Sequence, residues 1–141
     1  MGGAYTGDAY ENSFYINPGQ NNNHWINISL EGTISNKAAI CAKIKVTFKE
    51  NDIERSVYRD VNSGGSFGSN PLRQHIGIGQ ANSIEKIEIR WPVTSHVQVF
   101  ENPPLDVNIK IRETDSIFST YQLTRFDFTK GEQKHTMHGM N

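Results

Sequence analysis

Apolar and polar residues alternate through most of the chain. In "INISL" the apolar Ile26, Ile28 and Leu30 alternate with polar residues, as in a strand with one buried and one solvated face. The segment "AKIKVTFKE" repeats the pattern, and the Asn51-Asp52 pair after it favours a hairpin turn into "ERSVYRDV". The same period predicts strands in "QHIGIG", "IEKIEIRW", "HVQVF", "LDVNIKIRE" and "YQLTRFDF".

These strands define the expected fold class. Apolar residues do not recur at helical spacing over three turns, so no long helix is predicted. About seven to eight short strands separated by turns indicate an all-β fold, an antiparallel β-sandwich that is jelly-roll-like or Ig-like. We expect the sandwich over residues 21–128, an N-terminal extension over residues 1–20 and a flexible tail over residues 129–141.

Composition narrows the classes of partner. The 141 residues suit one domain, and 14 Lys and Arg against 15 Asp and Glu give a net charge of -1, so neither nucleic acid nor an anionic bilayer is an expected partner. The single cysteine, Cys41, excludes an intrachain disulfide and a cysteine-based zinc site, and we expect it to be buried. No apolar run approaches the roughly 20 residues of a membrane helix, and residues 1–15 lack the basic and apolar regions of a signal peptide.

The stretch "NNNHW" before the first strand contains the first candidate ligand-binding residues. Trp25 has the opposite parity to Ile26, which places it on the outer face as a stacking platform for a sugar ring. Asn23 and His24 would add polar contacts. The alternative is that a loop or a neighbouring domain covers Trp25.

The loop "NSGGSFGSNP", residues 62–71, is the second candidate. It contains three glycines and three serines, and loops on rigid sandwiches often carry function. It lacks the Lys-Ser/Thr ending of a P-loop. The alternative is a purely structural loop. Its candidate ligand-binding residues are Ser63, Ser66, Phe67 and Asn70.

His75 and the C-terminal tail are the candidates for catalytic and for metal-binding chemistry, respectively. His75 with Asp60 or Glu85 lacks a nucleophile elbow or triad spacing, so we expect no enzyme. The tail "KHTMHGMN" combines imidazole and thioether donors, which suit copper. The alternative, an unstructured terminus, is favoured because such a short run of His and Met residues can arise by chance. The candidate copper ligands are His135, Met137, His138 and Met140.

Several motifs in order resemble the ASPIC/UnbV domain. They are "NHW" before an alternating strand, "GTISN" at residues 32–36, the Gly-x-Gly of Gly77 and Gly79, and "RWP" at residues 90–92, within roughly residues 12–113. The chain departs from the family's usual Gly-Ala-Arg at residues 41–43 and from its Ser-Gly at residues 93–94.

In this family the domain typically follows FG-GAP or VCBS propeller repeats in secreted bacterial proteins and in cartilage acidic proteins. The resemblance therefore implies a fragment of a secreted or cell-envelope protein, with residues 1–20 similar to the exit from a propeller blade. It supplies no agreed reaction. We expect a non-catalytic accessory module that binds carbohydrate or protein. The alternatives are a structural domain that caps an adjacent β-propeller, and copper binding by the tail.

Overall fold

The computed structural model describes Tyr15, residues 21–65 and residues 68–124. These residues form eight strands: β1 Trp25–Glu31, β2 Lys43–Glu50, β3 Ile53–Asp60, β4 Gln74–Gly77, β5 Ser83–Arg90, β6 Val97–Glu101, β7 Val107–Arg112 and β8 Ser119–Tyr121. Over the same residues there is no helix with the length and apolar character needed to cross a bilayer.

The strands form two four-stranded sheets, which confirms the predicted all-β sandwich. The first sheet has the order β4-β1-β7-β8 and the second the order β3-β2-β5-β6. Every pair is antiparallel except β1 with β7, two central strands that run parallel with Ile28 opposite Ile109. The first sheet is therefore mixed, and its central pair joins the first strand to the seventh.

The predicted alternation correctly identifies the core. Ile26 and Ile28 of the first sheet and Ile44 and Val46 of the second are at most 1% exposed. Each fully buried side chain of this kind contributes about 1.5–3 kcal/mol relative to an exposed one. The other fully buried strand residues include Ile76, Ile87, Ile89, Ile109 and Ile111.

A β-bulge in β5 explains one break in the alternation. Ile84 and Ile87 have opposite parity, yet both are buried. The register with β2 shifts so that Phe48 faces Ile84 while Thr47 faces Lys86, which leaves Glu85 as the extra residue. A bulge reverses parity at the inserted residue, and both isoleucines thereby face the core.

Three sequence predictions have specific outcomes. Asn51 and Asp52 have φ of 51° and 62°, as a two-residue hairpin turn requires, so that prediction is confirmed. The last strand was predicted within residues 121–128, but it begins earlier, at Ser119, and ends at Tyr121. Residues 125–128 of the predicted segment lie outside the described part of the chain. Cys41 is exposed, and its predicted burial is wrong because the neighbouring Ala39 and Ala42 occupy the core.

Strands β3 and β4 are edge strands of different sheets, and the chain between them crosses from one sheet to the other. Of β3 only Val57 is even partly buried, although the strand pairs with β2 along its whole length. This edge of the sandwich is therefore open to solvent on both faces of β3.

Candidate functional site

Trp25 begins β1 on the outer face of the first sheet. The side chain is partly buried, and its ring centroid lies 5.8 Å from that of His75 at an interplanar angle of 34°. Opposite Trp25 on β4 is Gly77, where an added Cβ would find no atom within 4 Å. The indole of Trp25 therefore packs near His75 on one side and has open space beside it at Gly77.

A row of polar side chains orients His75. Its Nδ1 lies 2.7 Å from Oδ1 of Asn27, an oxygen that only accepts, so Nδ1 donates. Asn27 Nδ2 donates to Asn108 Oδ1 at 2.7 Å, and Asn108 Nδ2 donates to the Tyr121 carbonyl at 3.3 Å. The row crosses all four strands of the sheet. Both asparagines are nearly buried, so the imidazole beside Trp25 is held by a rigid platform.

Beside His75 an open cleft of about 530 Å³ lies between the end of β3 and the start of β4. Seven of its eight lining residues are polar, and backbone alternation places one of them, His75 of β4, on the same face as Trp25. The cleft and the aromatic pair are thus continuous through His75. The lining residues are Arg59, Asp60, Asn62, Asn70, Pro71, Arg73, Gln74 and His75.

The loop at the rim of the cleft is held by its own amides. Asn62 Oδ1 accepts from Gly64 N at 2.9 Å, and its Nδ2 donates to the Asp60 carbonyl at 3.1 Å. Asn70 Nδ2 donates to the Gly64 carbonyl. These bonds order the described ends of the loop and leave Asn70 in the cleft wall. Ser63 is exposed outside the lining set, and Ser66 and Phe67 lie outside the described residues.

His24 is directed to the opposite side of β1. Its Nδ1 lies 2.7 Å from Asp106 Oδ2, while Asp106 Oδ1 accepts from the Trp25 backbone N–H at 3.0 Å. Asp106 therefore fixes the start of β1 against β7. Asn23 is exposed just before this point. Of the sequence-predicted residues, the structure brings Trp25 and Asn70 to the two parts of one surface and does not bring His24 to the cleft.

Sequence reasoning missed Arg59, Asn62, Arg73 and Gln74 as cleft residues and considered His75 only for catalysis. One signal was available, because Arg73, His75 and Gly77 alternate and so share the outer face. The position of Arg59 had no such signal, since it has the parity of the core-facing Val57.

The predicted copper ligands His135, Met137, His138 and Met140 lie outside the described residues, and copper binding by the tail stays a prediction. Within residues 21–65 and 68–124, no three His, Cys, Asp or Glu side chains are grouped as a metal site would require.

The "GTIS" turn at residues 32–35 encloses a buried carboxylate. Glu113 is 2% exposed, and its Oε2 accepts from the backbone N–H groups of Thr33, Ile34 and Ser35 at 2.7–2.9 Å. Burial raises the pKa of Glu113, but the hydrogen bonds from Ser35 and Thr33 outweigh it and hold the pKa below the usual 4.5. Gly32 begins the turn where a Cβ would lie 2.2 Å from the Asn36 carbonyl oxygen.

Comparison with protein families gives a match. The sequence profile of the family described as ASPIC and UnbV matches residues 32–117, more than half of the chain, from the Gly32 turn to just beyond Glu113. The matched segment includes the cleft residues and excludes Trp25 and all of β1. Comparison with curated proteins and with solved structures found no match. This chain belongs to the ASPIC and UnbV family.

Proposed function

We propose that the protein is a non-catalytic accessory module of an extracellular or cell-envelope protein, and that it binds carbohydrate where Trp25 meets the β3–β4 cleft. The observation that carries this function is the continuity of a partly exposed indole with a polar cleft through His75. Family membership loosely favours an extracellular context.

The chemistry of the surface suits a sugar. A pyranose ring has an apolar face that packs on an indole, and hydroxyl groups at its rim that require both donors and acceptors. The cleft wall offers guanidinium and amide donors beside carboxylate and amide acceptors, from Arg59, Asp60, Asn62, Arg73 and Gln74. Open space above Gly77 leaves room for a ring against Trp25. A flat protein partner would use less of a concave, polar cleft.

The contacts of His75 favour binding over catalysis. His75 and Asp60 line the same cleft, yet the imidazole Nδ1 is bonded to the amide of Asn27 and not to a carboxylate. An amide fixes the ring orientation, but it carries no negative charge with which to stabilise an imidazolium as a triad carboxylate does. Asp60 lies 3.9 Å from Lys43 Nζ. The function of His75 is then to position Trp25.

Tryptophan fluorescence tests the proposal directly. Trp91 is fully buried, so a change on adding polysaccharide fragments would arise from Trp25. We expect titration to change the emission and to shift the amide resonances of residues 73–77. Gly77→Val should abolish both effects with an unchanged fold, because its side chain fills the space beside the indole. Thr120→Val, at an exposed position of β8 outside the cleft lining, is the control.

Absence of any spectral change with a broad panel of neutral and charged fragments would contradict carbohydrate binding. Full binding by Gly77→Val would instead place the sugar elsewhere on the protein.

The structural alternative, a domain that caps an adjacent β-propeller, has one observation in its favour. At the edge formed by β6 and the segment before β8, Val99 is 44% exposed and Ile117 is 76% exposed around a cavity of about 480 Å³. An apolar edge of this kind would pack against a neighbouring domain. It lies on other strands than the Trp25 surface, so both functions are compatible with one sandwich.

A further inference from the structure

The β3–β4 cleft contains more positive than negative charge. Its lining includes the guanidinium groups of Arg59 and Arg73 and one carboxylate, Asp60, which already lies 3.9 Å from Lys43 Nζ. Arg59 Nη1 donates to the Tyr58 carbonyl at 3.0 Å, which fixes the group and leaves its other N–H donors for a ligand. Among the described residues, no carboxylate forms an ion pair with either arginine.

The outer face of the second sheet has the opposite arrangement. There Lys45 and Lys86 each lie 3.3 Å from Glu88, and Lys49 lies 3.3 Å from Glu85. These three lysines are compensated within the fold, whereas Arg90 at the end of β5 forms no ion pair among the described residues. The two cleft arginines also lack compensation from the described residues, and they differ from Arg90 in lining one cleft together.

We propose that the carbohydrate recognised here is acidic, with a carboxylate or sulfate group held by Arg59 and Arg73 while a sugar ring lies against Trp25. This inference rests on the proposed function and names its ligand class. The planar guanidinium presents paired N–H donors that match the oxygens of a carboxylate or sulfate, and such charge-assisted bonds are stronger than neutral ones. Gln74 and Asn62 in the same wall then bind hydroxyl groups of the acidic sugar.

The test compares acidic oligosaccharides with neutral counterparts of the same backbone, using the whole chain. Galacturonate and glucuronate oligomers are paired with their methyl esters, and heparin fragments with their desulfated, N-acetylated and carboxyl-reduced forms. By titration calorimetry at low salt, we expect at least one acid to bind about tenfold or more tightly than its partner, the scale of one charged hydrogen bond. Preference within the uronate or the heparin series identifies the anionic group.

Variants connect the preference to the cleft. Arg59→Gln and Arg73→Gln should each remove most of the difference in affinity between the acid and its neutral partner, because the acid loses more affinity than the neutral form does. The matched control is Arg90→Gln, which removes another exposed guanidinium, on β5 and outside the cleft. Arg73→Lys should restore only part of the preference, because an ammonium lacks the paired donors.

The outcomes separate the two proposals. Equal binding of acidic and neutral members, or an acid preference that survives both arginine variants, overturns the inference and leaves carbohydrate binding in place. No binding by any member of the panel overturns both.

Discussion

Glu113 holds Ser35 through both of its carboxylate oxygens, one accepting from the backbone N–H at 2.7 Å and the other from the side-chain hydroxyl at 2.9 Å. The two residues lie 78 positions apart, Glu113 directly after β7 and Ser35 in the turn that follows β1. Together with the contacts to Thr33 and Ile34, this carboxylate supplies a tight turn with the acceptor that its amides need. The family match begins at this turn and ends just after the glutamate.

Replacement of that carboxylate is the first prediction. Glu113→Gln should lower the free energy of unfolding by about 2 kcal/mol or more, because a neutral amide accepts weaker bonds and turns an N–H₂ toward existing donors. Urea unfolding monitored by circular dichroism measures the loss. Glu101→Gln, exposed on β6, should change stability by less than about 0.5 kcal/mol. Equal effects of the two substitutions would contradict the assigned role of Glu113.

The pH dependence of stability provides a second prediction. Because folding lowers the pKa of Glu113 from 4.5, its contribution is complete above pH 4.5 and is lost as pH falls through the folded pKa. The stability difference between wild type and Glu113→Gln should therefore be constant from pH 8 down to about 5 and shrink below it. Other glutamates with a lowered pKa, such as Glu31 beside Lys110, also make stability depend on pH. Their contribution is the same in both proteins and cancels in the difference between wild type and Glu113→Gln. A difference that grows on acidification would contradict the assignment.

Two glycines offer a third prediction with an internal control. Gly32→Ala places a Cβ against the backbone carbonyls of Asn36 and Ser35, so the turn around Glu113 must shift. We expect a loss of at least about 2 kcal/mol in unfolding free energy. Gly77→Ala meets open space in a strand and should be neutral or slightly stabilising. A tolerated Gly32→Ala would mean that the turn adjusts more freely than its contacts indicate.

Trp25→Ala is the fourth prediction and separates a binding surface from a capped one. A buried aromatic costs about 3–5 kcal/mol on truncation to alanine. Trp25 is only partly buried, and we expect a loss of about 1–2 kcal/mol by urea unfolding. Trp91→Ala, at a fully buried site with Nε1 bonded to Gln98, should show the full cost and serves as the reference. A loss for Trp25→Ala as large as that for Trp91→Ala would favour a structural role.

The alternation of apolar and polar residues predicts most of the strands, because a strand with one buried face requires an apolar residue at every second position. The Asn51-Asp52 turn could also be predicted from the sequence, since few residue pairs adopt positive φ at both positions. The bulge at Glu85 could not be predicted, because a residue is recognised as extra only when the register with the partner strand is known. Alternation also does not predict the parallel pairing of β1 and β7, because that pairing depends on contacts between distant segments.

The candidate site was predicted only in part for the same reason. Trp25 could be placed on the outer face from its parity alone. Arg59 has the parity of a core residue and is exposed because β3 is an edge strand that the other sheet does not cover. Sheet order thus decides which side chains of β3 reach the cleft. Glu113 ends a predicted strand, and nothing local indicates that a turn 78 residues earlier encloses it.

The parallel pairing of β1 with β7 also has consequences for how the molecule folds. Asn27 and Asn108, paired across these strands, lie 81 positions apart, so their contact closes a long loop and forms slowly. The β2–β3 hairpin needs only a two-residue turn and can form while the chain is still being synthesised. Strand β1 can pair with β4 earlier, but its other neighbour, β7, becomes available only after it has left the ribosome. Expression of residues 32–117 alone would omit β1 from between β4 and β7, and we expect that shortened chain to fail to fold cooperatively.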